Sequence, residues 1–94
     1  EDEQEFVRRL TNRNAQEQAA QERTLKNELA TKEQRIKELD GIIKRLYEDN
    51  ITGKLSDERF KIFSTDYEDE QHSLREEVAS LKQQLEEMET SPAF

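Results

Sequence analysis

The residues best placed to do chemistry sit around Asn50-Ile51-Thr52-Gly53-Lys54-Leu55-Ser56. With Glu48 as the first position, Asn50, Thr52, Gly53, Leu55 and Ser56 fall where a calcium-binding EF-hand loop places oxygen ligands, a glycine and an apolar residue. The closing position needs a bidentate carboxylate and holds Arg59 instead, and the first position is Glu rather than Asp. A cation at the closing ligand blocks calcium, so a capped turn is the expectation and no cofactor or metal is expected.

The other candidates are weaker. His72 is the only histidine, and Glu68, Asp69 and Glu76 lie near it on the same stretch. One imidazole among surface carboxylates reads as a solvated face. Isolated Ser and Thr residues have no base to activate them, and carboxylate pairs recur all along an acidic helix, so no catalytic residue is assigned and the chain is expected not to be an enzyme by itself. Asn50-Ile51-Thr52 matches a glycosylation sequon, but nothing in the chain points to secretion. Tyr47 and Tyr67 read as packing residues rather than signalling sites. Arg8, Arg9 and Arg13 form one basic group and Lys44, Arg45, Lys54 and Arg59 another, and acids flank both. A net charge of −8 opposes a general nucleic-acid clamp.

The elements behind these residues follow from composition and period. Only 31% of the 94 residues are hydrophobic, 40% are charged, and there is no Trp or Cys. That is too little apolar volume for a globular core and suits a solvated coiled coil. The absence of Cys excludes a disulfide frame and a thiolate metal site. No apolar run approaches the ~20 residues of a membrane span. The opening EDEQEF reads as the start of a fragment.

Residues 1–24 read as a polar helical lead-in, with Phe6, Val7 and Leu10 as a small apolar cluster and Ala15 and Ala19 continuing it. Over 25–50, Leu25, Leu29, Ile36, Leu39, Ile43 and Leu46 alternate in steps of four and three, with Lys32 in the missing step. These are heptad seam positions of a first coiled-coil helix. Glu22–Lys26, Glu28–Lys32, Glu33–Lys37 and Asp40–Lys44 are spaced as i,i+4 ion pairs in the favourable order. Gly41 falls on the outer face.

The period breaks over 51–56. Gly53 suits the left-handed conformation that ends a helix, and Ser56 suits the N-cap of the next. Asp57 and Glu58 complement its dipole, and Leu55 with Phe60 has the spacing of a hydrophobic staple. The second helix, 57–89, carries Phe60, Tyr67, Leu74, Val78, Leu81, Leu85 and Met88 on its seam, with Ser64 and Gln71 in the weak steps. Residues 90–94 form a tail, since Pro92 disfavours helix before it.

The expected fold is therefore all-α: an antiparallel two-helix coiled-coil hairpin, able to associate into a four-helix dimer. Folding about Gly53 pairs Leu46 with Phe60, Ile43 with Phe63, Leu39 with Tyr67, and Leu29 with Val78. Pairing of each helix with another chain is the alternative. Near the turn, Ile42, Tyr47, Ile51, Ile62 and Phe63 exceed what a two-helix seam holds. The tip residues Tyr47, Ile51, Leu55, Ile62 and Phe63 are expected to dock on another protein, against the plainer reading that they seal the turn.

The segment KELDGIIKRLYEDNITGKLSDERFKIFSTDYEDEQ, residues 37–71, resembles a distinctive stretch of the large serine recombinases, as does the opening EDEQEFVRRL. These are site-specific recombinases of conjugative transposons and related mobile elements in bacteria. The resemblance covers most of the chain, above all LYEDN followed by GKLSDERF. It implies a coiled coil projecting from the zinc ribbon region of a longer, cytoplasmic bacterial protein. The family's serine nucleophile and zinc cysteines have no counterpart here, so no catalytic or metal residue carries over. The implied partner is another subunit's coiled coil, with an accessory directionality protein as a further one. DNA would be met through other domains of the parent, and no membrane is involved. The implied role is control of synapsis and of the direction of recombination. The alternatives are a generic dimerising spacer and, further off, an ion-sensing or DNA-contacting helical segment.

Overall fold

A computed structural model describes the backbone of residues 2–90 and the side chains of residues 13–89. It is a helical hairpin. Helix α1 runs Asp2–Ile51 and helix α2 runs Asp57–Thr90. The molecule is a rod of 79 × 16 × 15 Å, the length that 50 helical residues reach at a rise of about 1.5 Å each. The lead-in and the first coiled-coil helix are one uninterrupted helix, because no proline and only Gly41 interrupt its helix-forming residues. The side chains of Phe6, Val7, Leu10, Arg8 and Arg9, and the stop at Ser91-Pro92, lie outside the described residues.

The turn is built almost entirely from local hydrogen bonds. Gly53 adopts a φ of 83° and its N–H donates to the Asn50 carbonyl at 3.2 Å. The N–H groups of Thr52 and Leu55 donate to the Glu48 and Asp49 carbonyls at 3.0 and 3.1 Å. These bonds satisfy carbonyls that the end of α1 would otherwise orphan. Ser56 caps α2, its Oγ accepting from the Arg59 N–H at 3.2 Å, with Asp57 and Glu58 in the first turn. A Cβ at Gly53 would meet no neighbour, so the demand for glycine is purely one of backbone conformation. Gly53→Ala should therefore lower stability by about 1 kcal/mol without changing the fold, measured by urea denaturation followed by circular dichroism.

The seam follows the heptads. Leu39, Val78, Leu81 and Leu85 are buried, and only Leu39 is fully so. Leu25, Leu29, Ile36, Ile43, Leu46, Phe60, Tyr67 and Leu74 are half-buried. A helix with one partner can shield a seam residue from one side only, which is why most stay half-wet. Contacts from Tyr47–Phe60 near the turn, through Gln71–Ile36, to Lys32–Glu77 keep the register expected from folding about Gly53. One expected pair shifts. Phe63, counted against Ile43, is 41% exposed, and the buried residue at that level is Ser64. The heptad step from Phe60 reaches Ser64, and Phe63 is carried to the flank.

Candidate protein-interaction site

The exposed large hydrophobic residues among those described are Tyr47 (49%), Ile51 (82%), Ile62 (54%) and Phe63 (41%). All belong to the apolar surplus expected at the turn end. Their roles differ. The Tyr47 ring packs edge-on against Phe60, with centroids 4.9 Å apart and planes at 63°. Half of Tyr47 thus seals the hairpin. Leu55 and Phe60 are both half-buried and have the spacing of a hydrophobic staple, and Leu55 is less open than the other tip residues. Ile51, Ile62 and Phe63 are the residues left open. By heptad phase Tyr47 and Ile51 lie on one flank of the rod, Phe63 on the other beside Ile42, and Ile62 on the outer side of α2. They form a collar around the tip rather than a single patch.

The collar rests on a polar frame. Asn50 Nδ2 donates to the Leu55 carbonyl at 3.1 Å and to Asp57 Oδ1 at 2.7 Å, tying the end of α1 to the start of α2. Asn50, a ligand position in the EF-hand register, uses its amide N–H₂ to brace the turn. Among the described residues no three His, Cys, Asp or Glu side chains converge as a metal group would need. His72 is exposed and pairs with Glu76 at 3.2 Å.

Behind the tip, three polar layers cross the seam. Gln71 is buried at 6% exposure, and its Nε2 donates to the Ile36 carbonyl at 3.1 Å and to Asp40 Oδ1 at 2.6 Å. Arg35 grips Glu70 with two bonds, Nε to Oε2 at 2.7 Å and Nη2 to Oε1 at 3.1 Å, and also lies 3.5 Å from Glu38. Hydrogen bonding from Arg35 holds the Glu70 carboxyl below the usual carboxylate range, and bonding to Glu70 raises the guanidinium in turn. Lys32 reaches across to Glu77 at 2.8 Å, which raises the ammonium pKa. These ion pairs are open to solvent, so they specify register more than they stabilise. They also redirect the spacing-based pairs. Glu22–Lys26 forms at 3.0 Å, but Lys32 turns to Glu77 rather than Glu28, and Asp40 to Gln71 rather than Lys44. Glu33 and Lys37 form no ion pair.

Sequence reasoning did not assign the Gln71–Asp40, Arg35–Glu70 or Asn50–Asp57 contacts. Arg35–Glu70 could have been found by carrying the hairpin register to polar residues, because the two face each other about Gly53, whereas Gln71 faces Ile36 and reaches Asp40 one turn further along. No helix among the described residues is long and apolar enough to cross a membrane. These features define a coiled-coil hairpin with an apolar collar at its turn. Comparison with protein-family models, curated proteins and solved structures returns no match for this chain.

Proposed function

We propose that this hairpin is a coiled-coil protein-interaction module of a serine site-specific DNA recombinase, and that contacts at its tip join subunits and control synapsis and direction. The carrying observation is the confinement of exposed large hydrophobics, among the described residues, to the turn end of a stiff 79 Å rod. Four large apolar side chains left open around one end support a contact there, and a rod presents such a site far from the domain that anchors it. The resemblance of residues 37–71 to the large serine recombinases supports the choice of parent. The partner is then the coiled coil of another subunit, with an accessory directionality protein as a second candidate. DNA contact belongs to other parts of the parent.

The test is Ile62→Asp combined with Phe63→Asp in the full-length parent. Recombination should fall at least about tenfold, equivalent to roughly 1.4 kcal/mol of lost contact, while helicity and binding to single DNA sites stay unchanged. Unaltered recombination and unaltered association would sink the proposal. A second reading, a dimerising spacer whose tip merely closes itself, draws on the Tyr47–Phe60 contact and the half-buried Leu55. It predicts that the double variant recombines normally.

A further inference from the structure

Two features of the α1 flank have no use inside the hairpin. Gly41 lies in mid-helix, where glycine is worse than alanine, yet its backbone is ordinary and an added Cβ would meet nothing within 4 Å. Neither packing nor backbone geometry calls for it. Arg45 and Asp49 stand close by, and neither has an ion-pair partner. Between them lies an open groove of about 600 Å³, floored by Gly41, Ile42, Leu46 and Tyr67 and edged by Glu38, Arg45 and Asp49.

The charges around this groove have a symmetry of their own. Arg35, Glu38, Ile42, Arg45 and Asp49 follow one another in steps of three and four, so they form a second stripe along α1, beside the seam. Read forwards the stripe is positive, negative, apolar, positive, negative. Read backwards every sign inverts. A second copy of α1 lying antiparallel, with a two-fold axis at Ile42, therefore sets Arg45 against Glu38 and Asp49 against Arg35, twice each. Ile42 meets its own counterpart on the axis, and Gly41 lets the two backbones approach beside it. Arg35 keeps N–H donors to spare after its two bonds to Glu70 and its 3.5 Å contact with Glu38, and Glu38 keeps acceptor capacity for a second cation. A parallel arrangement would place Arg45 on Arg45 and Glu38 on Glu38.

We propose that the flank of α1 centred on Ile42 is an isologous docking surface for a second copy of this chain, packed α1 against α1 in antiparallel sense. The proposal rests on the reading of the hairpin as a contact module, but its face borders the collar only at Phe63, and Ile51 lies on the opposite flank, so variants at Ile51 separate the two. The antisymmetric charges favour this occupant over an unrelated partner, which would have no need of self-complementarity.

Sedimentation equilibrium on the full chain tests it, with circular dichroism confirming that each variant folds. The parent should dimerise, more weakly as salt is raised. Glu38→Arg and Arg45→Glu should each weaken the dimer about tenfold, because two symmetry-related attractions become repulsions. Mixing the Glu38→Arg chain with the Arg45→Glu chain should restore dimerisation as a heterodimer, since each repulsion again becomes an attraction. Ile51→Asp, on the opposite flank of the rod, should leave this dimer intact. A monomeric parent, single variants that dimerise as the parent does, or a mixture that stays dissociated would each overturn the flank proposal. Loss of recombination in an Ile51→Asp variant of the full-length parent would leave the tip reading standing in all three cases.

Discussion

Gln71→Glu is expected to destabilise the hairpin by about 2–3 kcal/mol at pH 7, although the two side chains have nearly the same shape. The native amide donates to the Ile36 carbonyl and to Asp40 from a buried position. A carboxylate has no proton to donate, so three acceptors would face one another. Each lost bond is worth roughly 1 kcal/mol, and burial of a charge beside the Asp40 carboxylate adds to it. Protonation limits the cost. Burial and the neighbouring carboxylate raise the folded pKa of the introduced carboxyl above its unfolded value of about 4.3. The neutral acid can donate one hydrogen bond to Asp40. The defect should therefore be small below about pH 4 and grow as pH rises from the unfolded toward the folded pKa. Urea denaturation of parent and variant across this range checks the sign. Adding Asp40→Asn should recover much of the loss at pH 7 by returning a donor to the pair. A variant as stable as the parent at pH 7 would mean that the Gln71 bonds contribute nothing.

Leu39→Ala should remove about 2–4 kcal/mol. Leu39 alone among the described residues is fully buried, so its truncation leaves a cavity as well as losing transfer free energy. Two helices bury little in total, and scaffolds of this size have only a few kcal/mol in reserve. The isolated variant should be largely unfolded at room temperature, read as lost helicity by circular dichroism. Leu74→Ala, at a half-buried seam position, should cost roughly half as much, because water already reaches that side chain. Equal effects at the two sites would contradict the burial pattern.

The turn was the most legible part of this molecule. Gly53 with positive φ, the Ser56 cap and the acids opening α2 each act within a few residues of themselves. The seam was nearly as legible, since a heptad names its own buried face. The tip was legible only as a group. Composition marked Tyr47, Ile51, Leu55, Ile62 and Phe63 as surplus, but could not divide the residues that close the turn, Tyr47 in part and Leu55, from the three left open. The ion pairs were the least legible, because spacing along one helix offers Lys32 and Asp40 partners that the opposite helix outbids.

The sequence by itself determined two helices, the point where they reverse, and the faces they bury. Helix propensity, capping and period are relations between near neighbours in the chain, so they can be read in order. Only the tertiary structure decided that Gln71 locks onto Ile36 and Asp40 and that Arg35 holds Glu70. Those outcomes depend on the rotation of each helix about its axis and on which residues then lie level across the turn. That geometry is also what leaves Ile51, Ile62 and Phe63 exposed, and so it sets which residues of the tip a partner can touch.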